Sequence, residues 1–174
     1  MEYTHAAHTF GPVYDTHSRF LILGSFPSVK SREINFYYGH PQNRFWNVLR
    51  TLLAPDAQLT TTDDKRDFLR LHRIALWDVI ASCDILGSSD SSIRNVVPND
   101  ISRILAAAPI QAILCNGGKS YDLFQKYCST EKPAAYGASS APMPPVYKLP
   151  STSPANAAWS LERLVGAWGK VLCV

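Results

Sequence analysis

Leu21-Ile-Leu-Gly-Ser-Phe-Pro-Ser28 decides the fold of this chain, together with the stretch Tyr37-Tyr-Gly-His-Pro-Gln-Asn-Arg-Phe-Trp46 that follows it. Four apolar residues, 20–23, predict a short buried strand, and Gly24 ends it. Pro27 fixes its own φ and biases the preceding residue away from helix, which predicts a tight loop after the strand. A strand that ends in such a loop, opposite a segment rich in aromatic and polar groups, is typical of a pocket at the carboxyl edge of an α/β sheet.

Strand and helix patterns alternate along the rest of the chain. Apolar runs predict strands at residues 19–24, 74–80, 110–115 and 146–149. Helical periodicity and capping residues predict helices at residues 43–53, after 60–64, at 101–107, after 116–119 and at about 157–170. The polar segment 81–98 is predicted to be a long functional or covering loop, and 129–145 an extended surface loop. This alternation predicts a mainly parallel sheet covered by helices on both faces.

Length, charge and cysteine use set the broad class of the protein. A chain of 174 residues fits one domain, in which we interpret residues 1–18 as an N-terminal arm. The net charge of +3, from 17 basic and 14 acidic residues, permits a polyanionic partner without requiring one. Cysteines 83, 115, 128 and 173 lack the spacing of a zinc or iron–sulfur motif, and we interpret 83, 115 and 173 as reduced core residues. No run is long enough to span a membrane, so we expect a soluble, intracellular (cytoplasmic) protein. We also expect it to be a monomer.

The predicted loops at the carboxyl edge carry an unusually neutral set of side chains. These are Ser25, His40, Asn43, Asp78, Asn116, Lys119, Ser151, Thr152 and Ser153, with several aromatics. They include no pair of carboxylates of the glycosidase type and no cluster at metal-ligand spacing. Amides and hydroxyls beside aromatic rings suit an uncharged planar heterocycle, and the rigid loop 150–155 suits contact with a DNA backbone.

At this point the chain resembles a known family, the uracil-DNA glycosylase superfamily, and most closely its hypoxanthine (deoxyinosine) DNA glycosylases. The resemblance covers nearly the whole chain from the first strand onward. It rests on Leu23-Gly-Ser-Phe-Pro-Ser28 with Ser31, Tyr37-Tyr-Gly-His-Pro-Gln-Asn-Arg-Phe-Trp46, Leu76-Trp-Asp-Val79, the segment 82–93, Asn116-Gly-Gly-Lys119 and Leu149-Pro-Ser-Thr-Ser-Pro154.

The resemblance implies a fold and an activity. The fold is a three-layer α/β/α sandwich around a central four-stranded parallel sheet. The activity is hydrolysis of the N-glycosidic bond of a deaminated base flipped out of DNA, without metal or cofactor, and DNA containing deaminated bases is the implied partner. Many relatives keep an Asp or Asn in the first loop to position water, where this chain has Ser25-Phe26. In the hypoxanthine branch, the resemblance associates activity with the Asn of His-Pro-Gln-Asn, which is Asn43 here, and implies that its side-chain carbonyl orients the attacking water.

It also implies roles for the other edge residues. The expected base pocket consists of Gly24, Ser25, Phe26, Pro27, Phe36, Tyr37, His40 and Asn116. Contacts to DNA are expected from Ser28, Lys119, Ser151, Thr152, Ser153, Pro154, Ala155 and Asn156. Structural readings stand beside these: Asn43 also suits a helix N-cap, and His40 suits a turn.

Three other functions remain open from the sequence. The first is a glycosylase of the same fold that prefers uracil or a mismatched base. The second is a DNA-binding relative with weak or no turnover. The third is a hydrolase that uses Ser25 as nucleophile and His40 as base.

Overall fold

The computed structural model describes residues 1–129 and 142–172. Its strands are β1 Thr4–Ala7, β2 Phe20–Gly24, β3 Ile74–Asp78, β4 Ile80–Ile85, β5 Arg94–Pro98, β6 Ala112–Asn116 and β7 Val146–Leu149. Its α-helices are α1 Val29–Ile34, α2 Phe45–Leu53, α3 Thr62–Leu71, α4 Ser102–Ala107, α5 Gly118–Tyr127 and α6 Leu161–Leu172, and a 3₁₀ turn covers Asp90–Ser92.

A four-stranded parallel sheet in the order β3-β2-β6-β7 forms the centre of the protein. Leu23 on β2 lies level with Trp77 on β3 and with Cys115 on β6. Four of the five β2 residues are buried, because helices cover both faces of the sheet. The predicted three-layer α/β/α fold is confirmed. The chain goes from β2 to β3 on one side of it and later returns to β6 on its other side. Because the strand order reverses at β2, a crevice opens at the carboxyl end of this strand.

The helices mostly follow the predicted pattern. α2 buries Phe45, Trp46, Val48 and Leu49 and packs against α6. Thr61 and Asp64 form a capping box at the start of α3, as the sequence predicts. Two boundaries differ, because 157–160 form a turn before α6 and α2 begins two residues after Asn43. α1 was not predicted, since its six residues are too few to show a period.

A second sheet corrects the prediction of a long loop at residues 81–98. β1, β4 and β5 form an antiparallel sheet in the order β1-β4-β5. The segment 81–98 is therefore not one long loop, and the N-terminal arm contributes an edge strand. β4 buries only Ile80, Cys83 and Ile85, and β5 buries none of its residues, so neither shows an apolar run. The predicted second strand, 74–80, divides into β3 and the start of β4.

The cysteines behave as core residues where the structure describes them. Cys83, Cys115 and Cys128 are buried free thiols, and burial raises the pKa of each, to about 11, 12 and 12 respectively. Cys173 and residues 130–141 of the predicted surface loop lie outside the described residues. Within residues 1–129 and 142–172, no helix has both the length and the apolar character needed to cross a membrane.

Candidate functional site

A cavity of about 720 Å³ lies at the carboxyl edge of the parallel sheet, where the loops after β2, β3, β6 and β7 meet. Its size falls in the usual range for small-molecule sites. Most of the residues expected at the site line it, namely Gly24, Ser25, Phe26, Pro27, Ser28, Tyr37, His40, Asn43, Asn116, Ser151, Thr152, Ser153, Pro154 and Ala155. The topology therefore brings together groups that lie up to 131 positions apart in the chain.

The floor of this cavity holds two polar groups above Gly24. A Cβ atom at Gly24 would lie 2.3 Å from Asp78 Oδ1 and 3.0 Å from the Tyr38 hydroxyl oxygen. The first distance is too short for a Cβ contact and the second is very tight, so the glycine lets these two groups approach the end of β2. The floor thus offers a carboxylate acceptor and a phenol donor side by side.

Asp78 is held by a histidine from the N-terminal arm. His8 Nε2 lies 2.7 Å from Asp78 Oδ2, and the two side chains are only 4% and 5% exposed. Because an ionised carboxylate only accepts, we assign the shared proton to His8 Nε2. His8 Nδ1 is buried and makes no hydrogen bond within the described part of the chain. This contact fixes Oδ2 and leaves Oδ1 beside Gly24 as the acceptor of the cavity floor.

The two tyrosines of the cavity remain neutral donors. Burial raises the pKa of Tyr38 far above its ordinary value, and the charge of Asp78 adds to this, while the neighbouring Asn116 amide offsets only part. Burial, and then the charge of Asp78, likewise raise the pKa of Tyr37, whose hydroxyl donates to the Gly11 carbonyl at 2.9 Å. Tyr38 stacks on Phe45 at a centroid distance of 4.0 Å. It has a φ of +52°, a strained value for a tyrosine.

Thr152 joins two amides of the cavity. Its hydroxyl accepts from Asn116 Nδ2 and donates to Asn43 Oδ1, each at 2.9 Å, and its N–H donates to Asn116 Oδ1 at 3.0 Å. Asn43 Oδ1 also accepts the Phe45 N–H at 2.9 Å, which fixes the orientation of this amide. Both acceptor positions of Asn43 Oδ1 are therefore used, and its Nδ2 hydrogens are its free groups.

This network changes what Thr152 and Asn116 can do. Thr152 is fully buried and its hydroxyl hydrogen is used on Asn43, so it has no hydrogen left for the phosphate contact that the resemblance implies. Asn116 uses its oxygen and one amide hydrogen on Thr152, which leaves one hydrogen for a ligand. The close approach of Ser151 depends on Gly117, whose φ is +99° and whose added Cβ would lie 3.0 Å from Ser151 Cβ.

Arg44 clamps the loop that follows β7. Its Nη2 donates to the carbonyls of Ser153 at 2.8 Å and Asn156 at 3.1 Å, and its Nη1 donates to that of Trp159. Its backbone N–H and its Nε both donate to the Thr152 carbonyl, at 3.1 and 3.4 Å. One side chain therefore fixes loop 151–159 next to Asn43.

Asp90 reaches the cavity from the segment between β4 and β5. Its Oδ1 accepts from Ser25 Oγ at 3.0 Å, although the residue as a whole is exposed at the rim. Desolvation of its carboxyl by the surrounding protein raises the pKa of Asp90, and Asp78 adds to this, while the Ser25 hydrogen bond and Lys119 oppose it. A carboxylate from a distant segment therefore lies next to the first loop, whose own sequence contains none.

Some expected site residues lie elsewhere or are already engaged. Phe36 is 1% exposed, stacks on Trp46 in the core and does not line the cavity, so it cannot stack against a bound base. Lys119 is half-buried and lines neither cavity. Ser28 is the N-cap of α1 and accepts from the Ser31 N–H at 3.2 Å. His40 accepts the Gln42 N–H at 3.1 Å, as a turn residue does.

A second cavity of about 670 Å³ adjoins the first and shares Asp90, Ser151, Ser153 and Ala155 with it. Lys148, Trp159 and Asn156 also line it. Asn156, one of the expected DNA contacts, lines this neighbouring groove, where its Nδ2 donates to the Ser151 carbonyl at 2.9 Å.

Neither a serine hydrolase nor a metal site is formed by the described residues. Ser25 Oγ donates to Asp90 and the His40 ring accepts from the backbone, so the nucleophile–base pair of a hydrolase is not assembled. In the part of the chain that the structure describes, no three His, Cys, Asp or Glu side chains gather as metal ligands would.

Sequence reasoning missed four residues of the site: His8, Tyr38, Arg44 and Asp90. Tyr38 and Arg44 lie within the stretch that carries the resemblance, and a positive φ next to Gly39 is not visible in a sequence. His8 and Asp90 reach the site through contacts across 70 and 65 positions, so no local pattern marks them.

The fold and the cavity define a class of protein. It is an α/β protein with a cavity of about 720 Å³ at the carboxyl edge of a parallel sheet, a carboxylate and a phenol side by side in the cavity floor, and a hydroxyl-rich loop at the cavity edge. A sequence profile of the uracil DNA glycosylase superfamily matches residues 12–171. The chain belongs to this superfamily.

Known proteins resemble the chain along most of its length. It is 36% identical over 112 residues to the hypoxanthine DNA glycosylase of Methanosarcina barkeri, covering 64% of this chain and 71% of that protein. It is 34% identical over 110 residues to the protein of the same name from Methanosarcina acetivorans, covering 63% and 70%. The solution NMR structure of a candidate uracil DNA glycosylase from Methanosarcina acetivorans superimposes with a TM-score of 0.75 at 30% identity, over 94% of each chain.

Proposed function

We propose that this protein is a monofunctional DNA glycosylase that releases hypoxanthine from deoxyinosine in DNA and leaves an abasic site. The observation that carries the proposal is the cavity floor, where Asp78 Oδ1 and the Tyr38 hydroxyl converge above Gly24. Hypoxanthine presents an N1–H donor next to an O6 acceptor, which complements a carboxylate beside a phenol. Adenine presents the reverse arrangement, so its N1 lone pair would face the Asp78 carboxylate. The two relatives named hypoxanthine DNA glycosylase support this choice of base.

The base reaches this floor after it flips out of the duplex, which costs a few kcal/mol and least at a mispaired nucleotide. Phe26 and Tyr37 provide aromatic surface on the cavity wall. Ser151 and Ser153 at the rim are placed to donate to flanking phosphates, and Lys148 in the adjoining groove adds a positive charge for the backbone.

Asn43 is the catalytic residue of this proposal. Because its Oδ1 is fully engaged, its Nδ2 hydrogens act as donors to the departing base. As the bond between C1′ and the base breaks, both electrons move onto the base, and fixed donors that face this growing charge lower the barrier. This assignment replaces the water-orienting carbonyl that an Asn at this position first suggests.

The test is abasic-site formation on duplexes that carry a single inosine, uracil or adenine. We expect cleavage at inosine, weaker cleavage at uracil and none at adenine. Failure to release hypoxanthine would refute the proposal, and faster release of uracil would favour the alternative base preference. Removal of one preorganised donor typically costs 10²–10³-fold in rate, so Asn43→Ala should lower the single-turnover rate by about that factor. Asn47→Ala, at an exposed position of α2, is the matched control.

A further inference from the structure

The proposed mechanism leaves one task unassigned, which is to bind and activate the attacking water. An acceptor is needed, because water must lose a proton as it bonds to C1′. Asn43 cannot serve, since its oxygen already accepts from Phe45 N–H and Thr152 Oγ1. The first loop offers Ser25, whose hydroxyl is itself engaged as a donor.

Three carboxylates line the cavity among the described residues, and two of them are committed elsewhere. Glu33 is exposed and pairs with Lys30 at 3.3 Å. Asp78 lies in the floor, with one oxygen on His8 and the other against Gly24. Of these three, only Asp90 borders both cavities, and it lies at the rim without an ion-pair partner among the described residues.

The carboxylate of Asp90 is held in place with one oxygen free. Oδ1 accepts from Ser25 Oγ at 3.0 Å, and Oδ2 makes no hydrogen bond within residues 1–129 and 142–172. The segment around it is tied down on two sides, because Ser88 Oγ accepts the Val29 N–H and Ser92 Oγ accepts the Leu86 N–H, each at 2.9 Å. Asp90 is therefore a positioned acceptor on a braced turn.

We infer that Asp90 is the catalytic carboxylate that binds the attacking water and takes its proton, a role that rests on the proposed glycosylase function. The water oxygen bonds to C1′, the C1′–N bond breaks with both electrons going to the base, and one water proton passes to Asp90. The base anion takes up a proton from solvent and leaves, Asp90 releases its proton to solvent, and the products are the free base and an abasic sugar that keeps the water oxygen as its C1′ hydroxyl. Ser25 acts as a positioning residue, which aligns Asp90 over the loop where the chain itself has no carboxylate.

Asp90→Asn tests this inference, because an amide oxygen can still accept from Ser25 Oγ but cannot take a proton. General acid–base groups typically contribute 10²–10⁴-fold, so we expect kcat on inosine duplexes to fall by about 10²-fold or more. KM should stay level or decrease, since the variant removes a negative charge from the DNA-facing rim. Asp56→Asn, at an exposed position away from both cavities, is the control.

The pH profile provides a second readout. A base must be ionised to act, so wild-type kcat should fall as pH decreases through the raised pKa of Asp90, and this limb should be absent in Asp90→Asn. The charged and titratable groups around Asp90 are Asp78, Lys119, Tyr38 and Cys83. The pKa values of the tyrosine and the cysteine are raised, so neither group changes charge below neutral pH.

The outcomes separate the two levels of the argument. If the wild-type protein releases no base, the proposed function fails. If the wild type cleaves and Asp90→Asn cleaves at a rate within threefold of it, or keeps the acid limb, the role of Asp90 is refuted. A loss of kcat with a matching loss of DNA affinity or of thermal stability also overturns it, because that pattern reports a structural role.

Discussion

Replacement of Arg44 should loosen the loop at residues 151–159 without unfolding the sheet. The guanidinium donates to the carbonyls of Thr152, Ser153, Asn156 and Trp159. A hydrogen bond from a charged donor contributes about 1.5–3 kcal/mol, but Arg44 is half-buried and the freed carbonyls can bind water, so Arg44→Met should lose about 2–3 kcal/mol in total. Arg44→Lys should recover less than half of this, since one ammonium cannot span four carbonyls.

Two measurements check this expectation. Urea unfolding gives the change in free energy, and amide hydrogen exchange shows whether peptides that cover 151–159 lose protection while those of β2 and β6 keep theirs. Arg50→Met, on the last turn of the same helix, controls for the loss of a positive charge. An unfolding free energy within 0.5 kcal/mol of wild type, by the usual scatter of surface substitutions, together with unchanged exchange in the loop, would refute the clamp.

Three further expectations follow from contacts in the site and the fold. Gly24→Ala places a Cβ 2.3 Å from Asp78 Oδ1, so it should abolish inosine cleavage and cost about 1–3 kcal/mol in thermal unfolding; near-normal cleavage would contradict the floor geometry. Thr152→Val removes the hydroxyl partner of Asn43 and Asn116 and should cost about 1–3 kcal/mol in urea unfolding. Thr152→Ser, which keeps the hydroxyl, should restore most of this stability; equal losses in the two variants would indicate that Thr152 acts through packing alone. Thr61→Ala removes the Thr61 hydroxyl that accepts the Asp64 N–H in the α3 capping box and should cost about 1 kcal/mol in urea unfolding. The backbone N–H groups of residues 60 and 61, which donate to the Asp64 carboxylate and lower its pKa, remain in this variant, so most of the deficit should persist as pH falls; a deficit that vanishes in acid would contradict this account.

The sequence predicted the parts of the fold that depend on local order. The four parallel strands, the loops at their carboxyl ends and the α3 cap follow from apolar runs, prolines and capping residues read along the chain. The antiparallel sheet escaped prediction, because neither its central strand β4 nor its edge strand β5 contains an apolar run, and their backbones are satisfied by pairing between strands. Residues 81–98 were therefore predicted to be a loop.

The site shows the same division. The sequence by itself placed Gly24, Asn43 and Asn116 at one edge, since the carboxyl ends of parallel strands meet there. Only the tertiary structure decided what each can do: Thr152 saturates the Asn43 oxygen, His8 pins Asp78, and Asp90 crosses to Ser25. These side chains are joined by single hydrogen bonds across 65 to 109 positions. Such contacts arise from the packing of whole elements, and hydrophobic periodicity, which reports only on local structure, does not encode them.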